Sequence, residues 1–294
     1  MSNLNAFSFL FLLPFLLGGG KSAEAQSGQK GLLWEINGKG LKKPSYLYGT
    51  IHIQSKKVFQ YDPVVEEKLK SCNAFAPELI LDEINQLEVM GAMMMTDNSL
   101  DNLLSPEDYA KLDAFMKAST GTGIEVFKRM KPFALIAQLG QGDVTGEMPI
   151  PLDMHLLQIA RENKLKTFAV EKLDEQIAVI NSIPLADQAR MLMEAISDTS
   201  SGNKQFEELV QVYLDQNLDA MMSLAEDPSL PKEIQQEFLI ARNKVMAERI
   251  NVFIKEQSTF IAIGAAHLGG RNGIIELLKQ QGLKLKAVPF SFKP

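Results

Sequence analysis

With 294 residues, 46% of them hydrophobic, the chain is long enough to bury a sizeable core as one large domain or two small ones. Its net charge of −6, with no block of like charge, argues against a nucleic-acid partner, because phosphate contacts need a concentrated basic surface. The only cysteine, Cys72, rules out an internal disulfide and is expected to be a buried, inert thiol.

Phe7 to Leu17 is almost wholly apolar and is followed by Gly18-Gly19-Gly20-Lys21-Ser22 and Ala23-Glu24-Ala25. An apolar run of this length ending at a small-x-small triplet predicts a secretory signal over residues 1–25, cut after Ala25, and a periplasmic or secreted protein. The run is too short for a comfortable bilayer span, so no stable span is expected once the signal is removed. Retention as an N-terminal anchor is the other reading. Residues 26–294 are expected to form a single α/β domain.

Leu32 to Ile36 and Ser45 to His52 read as strands joined by the hairpin punctuation Asn37-Gly38-Lys39-Gly40. Asp62-Pro63 predicts a helix start, running to about Ser71. Ala74 to Leu81 returns to a strand pattern, where Pro77 favours an edge strand, a bulge or an early end. Asn85 to Met95 reads as helix, and Met93, Met94 and Met95 as pliable gap-filling core. Ser105-Pro106 opens another helix that Gly121-Thr122-Gly123 closes, and Phe133 to Leu139 a further one. Gly140 to Pro151 reads as a Gly- and Pro-rich loop. Leu152 to Asn163 is amphipathic and leads to a short strand, Lys166 to Val170. A helical stretch from about Asp174 to Glu256 is broken at Ser182-Ile183-Pro184, Ser200-Ser201-Gly202 and Asp227-Pro228-Ser229, and reads as an insertion or cap. Thr259 to Gln281 forms a strand–His–helix unit with Gly282 as its cap, and a last strand covers about Leu285 to Val288. Strands alternating with helices at both ends predict an α/β layer with a mostly parallel sheet.

Two of the three histidines share a local setting. Tyr48-Gly49-Thr50-Ile51-His52 and Ile263-Gly264-Ala265-Ala266-His267 each carry Gly-x-x-His off the end of a β-branched and aromatic run. Gly49 and Gly264 are expected where the backbone turns sharply or approaches a ligand closely. In open α/β sheets, ligands bind beyond the strands' C-terminal ends, so both imidazoles are expected at that rim. Two imidazoles and one carboxylate make a common set for a catalytic divalent ion. Glu78, directly after Pro77, is the best carboxylate, and Asp82 the next by position.

His155 lies at one edge of the Leu152, Leu156, Ile159 stripe and reads as a boundary residue. Asp153 is either a first-turn acid of that helix or a member of the rim. On the helix from about Ala241, Arg242 and Arg249 fall near Met246 and Phe253, on a face that Val245, Ile250 and Ile254 flank. Arginines on an apolar stripe need a carboxylate or an anionic ligand, since unpaired buried charge is costly. They are either structural pairs or guanidinium groups aimed at an oxyanion, with Glu171 a plausible partner for one of them.

Together Tyr48 to His52, Glu78-Leu79-Ile80-Leu81-Asp82, Arg242-Asn243-Lys244-Val245-Met246 and Gly264 to Gly270 resemble the TraB/GumN family over about residues 32–290. Glu171-Lys172-Leu173-Asp174-Glu175-Gln176 is similar to the family's mid-chain Leu-Glu…Gln segment, with Val170 in place of Leu. The family is related to the Tiki metalloproteases and, more distantly, to erythromycin esterases and a haem-binding lipoprotein. The resemblance implies an erythromycin-esterase-like α/β fold with pseudo-repeated halves, and a site built from His52, Glu78 and His267. It implies a divalent ion such as Zn, Mn or Co and cleavage of a peptide or small-molecule substrate; the first reading adds Arg242, from its place on the apolar stripe, as the group that steadies the oxyanion. A non-catalytic metal- or haem-binding or regulatory protein, and a metal-free esterase-like hydrolase with His52 as base, are the alternatives.

Overall fold

The structure, a computed structural model, describes residues 29–38, 40–139, 147–197, 202–225 and 237–293. The signal-like segment, and the helix breaks read at residues 200–201 and 227–229, lie outside the described residues. Six strands form one sheet in the order β4-β3-β5-β2-β1-β6: β1 Leu33–Asn37, β2 Ser45–Thr50, β3 Ala74–Pro77, β4 Lys166–Thr167, β5 Thr259–Gly264 and β6 Lys284–Ala287. The pairs β4–β3, β3–β5 and β5–β2 are parallel, and β1 joins β2 and β6 antiparallel. The helices are α1 Val64–Ser71, α2 Gln86–Ala92, α3 Leu100–Leu103, α4 Pro106–Thr120, α5 Pro132–Leu139, α6 Leu152–Glu162, α7 Leu173–Ser182, α8 Leu185–Ser197, α9 Gly202–Leu214, α10 Leu218–Ala225, α11 Arg242–Glu256 and α12 Ile274–Gln280. Five of these, α7 to α11, stand between β4 and β5 in the chain.

The three central strands are buried along nearly their whole length, and β4 and β6 at the edges are the exposed ones. A strand covered on both faces has no polar side to present, which is why Tyr46 to Tyr48, Ala74 to Ala76 and Phe260 to Ile263 are unbroken apolar runs. Phe75 and Phe260 stack with ring centroids 6.1 Å apart, and Tyr48 lies 6.1 Å from Phe260 in the same layer.

Several boundaries differ from those read in the sequence. The β1–β2 connection runs from Gly38 to Pro44, longer than Asn37 to Gly40, because the register pairs Ile36 with Ser45. The strand expected to reach Leu81 ends at Pro77, since a ring nitrogen cannot donate to the ladder. It is not an edge strand, however, as β4 and β5 flank it. α2 stops at Ala92, so the three methionines follow it. Met95 is buried, whereas Met94 is 40% exposed and bridges to Met130. β4 is assigned only to Thr167, yet Phe168, Val170 and Glu171 continue donating to the carbonyls of Phe75, Pro77 and Glu78.

One buried polar contact braces the centre of the sheet. Tyr213, on α9, is fully buried, and its hydroxyl lies 2.8 Å from the Gly49 carbonyl and 3.2 Å from the Tyr48 hydroxyl. Burial holds both phenols well above the ordinary tyrosine value, so they act only as neutral hydrogen-bonding groups. Tyr213→Phe is expected to cost about 1–2 kcal/mol, because the Tyr48 hydroxyl loses its partner without gaining water. An unchanged urea midpoint would show that the contact contributes nothing.

Candidate functional site

Parallel pairing puts the C-terminal ends of β2, β5 and β3 on one edge. The register sets Thr50 opposite Gly264 and Pro77 opposite Ala262, so the residues that follow all leave the sheet at one level. His52 is the centre of a tight turn, closed by the Ile53 N–H on the Ile51 carbonyl at 3.0 Å. His267 ends a 3-10 turn, Ala265–His267. Glu78 continues from β3, donating its N–H to the Ala262 carbonyl at 3.1 Å and accepting that of Glu171 at 2.9 Å. Two acids are thereby brought side by side on neighbouring backbone.

Arg242 joins them. Its Nη2 lies 2.6 Å from Glu78 Oε1 and 2.6 Å from Glu171 Oε2, and its Nε donates to Glu171 Oε1 at 2.9 Å. The side chains of Glu78 and Glu171 are 5% and 2% exposed, and that of Arg242 13%, so all three charges are largely out of water. Gln176, from the first turn of α7, donates its amide to Glu171 Oε2 at 2.8 Å and Glu78 Oε1 at 3.1 Å. The Gly264 N–H reaches Glu78 Oε2 at 3.3 Å. Burial pulls the Arg242 guanidinium down, but Glu171 and Glu78 outweigh it and hold the group above the usual arginine value.

The two histidines are each held at Nδ1. His267 Nδ1 lies 2.6 Å from Asn243 Oδ1, and the Asn243 amide donates to the Asn272 carbonyl at 2.9 Å. That second bond fixes the Asn243 amide with its oxygen toward the ring, so His267 carries its proton on Nδ1 and its lone pair on Nε2. Burial, with Arg242 nearby, lowers the His267 pKa to about 3, which makes it a neutral imidazole at ordinary pH. His52 Nδ1 lies 2.9 Å from Asp153 Oδ1, both side chains being under a tenth exposed, close enough for a charged pair though not aligned as a straight hydrogen bond. Burial lowers the His52 pKa, but Asp153 and Glu78 more than offset this and leave it raised. Thr50 Oγ1 and Gln176 Oε1 are buried with no hydrogen-bond partner among the described residues, so this edge retains unused hydrogen-bonding capacity.

As ligands for a divalent ion, the imidazoles fit in kind. Each has Nδ1 turned to a carboxylate or amide oxygen, the support that metal-binding histidines usually have. Glu78 fits less simply, because Oε1 is already taken by Arg242 and Gln176. Among the described residues no three His, Cys, Asp or Glu side chains gather closely enough to enclose an ion.

The other candidates divide. Asp153 belongs with His52, and Glu171 and Arg242 with Glu78. Arg249 stands apart, its guanidinium 2.6 and 2.7 Å from the Glu175 carboxylate and on the Val170 carbonyl, a structural pair. Asp82 instead pairs with Arg161. His155 is half-buried with its ring 5.3 Å from Phe59, and burial lowers its pKa. The glycines serve differently from the expectation. A Cβ on Gly49 would meet Leu32, Ala265 and Leu268 at 3.0–3.1 Å, so close packing rather than a sharp turn excludes a side chain. Gly264, at φ −50°, has ordinary room, and its contribution is the N–H aimed at Glu78. Cys72 is buried, with its thiol pushed up by that burial.

Gln176 and Asn243 were not singled out from the sequence on chemical grounds. For Asn243 a signal exists. The buried stripe of α11 is Asn243, Met246, Ala247, Ile250 and Ile254, and a lone amide on such a stripe needs a polar partner. The face read from the sequence was rotated from this one: Val245 is 38% exposed and the arginines stand at the flank.

No solved structure matches the chain. Among curated proteins it is similar to metalloprotease TIKI1 of Danio rerio, 24% identical over 90% of this chain and 64% of the relative. It is likewise similar to metalloprotease TIKI2 of Xenopus tropicalis, 24% identical over 90% and 61%, and to TIKI1 of Homo sapiens, 21% over 90% and 63%. The chain thus spans just under two thirds of the length of these relatives. The model of the TraB/PrgY/gumN family matches residues 32–287, which include every element of the sheet, and the chain belongs to that family.

Proposed function

We propose that the protein is an exported, peptidase-like hydrolase that works with a divalent metal ion, Zn, Mn or Co. The observation that carries this reading is the strand register, which sends both Gly-x-x-His turns and Glu78 off one edge of the sheet. As they stand His52, His267 and Glu78 do not enclose an ion; drawn together on one, the imidazoles would offer Nε2 and Glu78 would offer Oε2, which among the described residues accepts the Gly264 N–H at 3.3 Å. When bound, such an ion polarises a carbonyl and lowers the pKa of a water. The remaining chemistry belongs to the chain. Asn243 and Asp153 orient the imidazoles, and Arg242 keeps the Glu78 carboxylate in place while presenting positive charge where an oxyanion would develop. The Tiki relatives carry metalloprotease names, which supports a peptide as substrate. Export is read from the apolar segment ending at Ala25; among the described residues no helix is long and apolar enough to cross a membrane.

The test is cleavage of an unstructured peptide, with bound metal measured in parallel. Wild type is expected to need a divalent ion. His52→Ala and His267→Ala should each lose ~10²–10³-fold in activity together with bound metal, and Asn243→Leu ~10–100-fold in metal affinity. Equal metal content in wild type and both alanine variants would end this reading. The close contact of His52 with Asp153 favours one rival, a metal-free hydrolase in which Asp153 orients His52 as general base. Full activity in the presence of a chelator would select it.

A further inference from the structure

The helix α2 turns an apolar face to solvent. Of the six large apolar side chains exposed among the described residues, Leu87 is 78% exposed, Met90 63% and Met94 40%, and these three stand on α2 and the turn that ends it. At ~100° per residue they fall within an arc of about 60°, on the side opposite the buried Val89. Val89 and Met93, on the inner side, line a small cleft with Ile177 and Ile180 of α7. That contact sets α2 one helix away from the candidate site, because Gln176, next to Ile177, donates to both Glu78 and Glu171. The chain also runs from Glu78 straight into α2. About nine residue steps of ~3.3–3.6 Å keep Leu87 within ~32 Å of Glu78.

Three features separate this face from ordinary surface. Gly91 lies on it beside Leu87, and a Cβ there would meet nothing within 4 Å. A glycine inside a helix weakens it relative to alanine, and here no neighbour in the fold excludes a methyl group. What a bare backbone does permit is the close approach of a second backbone. The two methionines are unbranched and polarisable, so they repack around partners of different shape. The charge that α2 carries is Glu88, exposed and in no ion pair among the described residues. An anionic bilayer is poorly matched to such a face, whereas an apolar segment with a basic neighbour fits it. We propose that the Leu87, Met90 and Met94 face docks the peptide substrate, taking up an extended apolar segment that carries an adjacent lysine or arginine. The inference rests on the hydrolase reading and names its substrate class: unstructured peptides with an apolar-basic cluster within about nine residues of the cleaved bond.

The experiment measures fluorescence anisotropy of labelled, unstructured peptides of about twenty residues on the full-length chain in EDTA, where metal-dependent turnover is stopped. A peptide with one Leu-Leu-Lys cluster should bind ~10-fold or more tighter than its Ser-Ser-Lys analogue, with Leu-Leu-Glu in between. Leu87→Ser combined with Met90→Ser should bring the Leu-Leu-Lys peptide down to the Ser-Ser-Lys level, whereas Val252→Ser, at an exposed apolar position on α11, should change nothing. Gly91→Ala should raise the urea midpoint yet weaken the Leu-Leu-Lys peptide ~3–10-fold, opposite movements that a merely structural glycine would not give. With a divalent ion present, the double serine variant should raise KM by the factor seen in binding and leave kcat alone. Equal affinities for the Leu-Leu-Lys and Ser-Ser-Lys peptides, or unaltered binding in the double serine variant, would overturn the docking face. So would a double serine variant that loses only self-association or binding to phosphatidylcholine vesicles, which would assign the face to a second copy or a bilayer. Cleavage with an unchanged KM sinks the docking face and leaves the hydrolase reading standing. Cluster-dependent binding without cleavage at any metal concentration does the reverse, and neither binding nor cleavage sinks both.

Discussion

Arg242→Met is expected to lower the unfolding free energy by about 3–5 kcal/mol, the cost of leaving a buried charge pair without one partner. The mechanism is specific to this cluster. One guanidinium serves two carboxylates, each under a tenth exposed, through two contacts of 2.6 Å and one of 2.9 Å. Without it, Glu78 and Glu171 confront one another on adjacent backbone, sharing among the described residues only the Gln176 amide, with the Gly264 N–H on Glu78. Arg242→Lys should fall between wild type and the methionine variant, because a point charge cannot make the fork to Glu171 while also reaching Glu78. Adding Glu171→Gln to Arg242→Met should recover part of the loss, by about 1–3 kcal/mol of coupling. Urea midpoints of the four proteins measure this. If the double variant is no more stable than Arg242→Met, like-charge repulsion is not what the arginine relieves.

Acid is expected to destabilise the metal-free protein through His267. In the unfolded chain this imidazole takes up a proton near its ordinary value of 6.5, but in the fold only near about 3. Below pH 6.5 the unfolded state therefore binds more protons, and stability falls as pH falls. The contribution is complete above about pH 6.5 and declines at up to ~1.4 kcal/mol per unit. His52 has the opposite sign. Its raised value means its contribution is complete below 6.5 and lost as pH rises through its folded value, so it adds no slope on the acid side. Between pH 6.5 and about 5, before most carboxylates titrate, wild type in EDTA should lose roughly 1.5–2 kcal/mol. His267→Gln should be nearly flat over the same window. A wild-type profile as flat as the variant's would mean that the His267 ring is solvated and readily protonated.

The sequence alone determined much of this protein. Unbroken apolar runs at Tyr46 to Tyr48, Ala74 to Ala76 and Phe260 to Ile263 announce buried parallel strands, because a strand covered on both faces has no polar side to alternate with. The paired Gly-x-x-His turns and the acid after Pro77 are legible for the same reason: each interrupts an apolar run at the point where the chain leaves the sheet. Tertiary structure alone decided how these residues are partnered. Arg242 and Glu78 lie far apart in the chain, and only the order β3–β5–β2, with β4 beside β3, brings Glu78 next to Glu171 and both under α11. The amides of Gln176 and Asn243 acquire meaning only through which carboxylate and which imidazole nitrogen they meet. Spacing along a chain specifies periodicity and punctuation, both local. A hydrogen bond is short-ranged and directional, so its partner is chosen by packing.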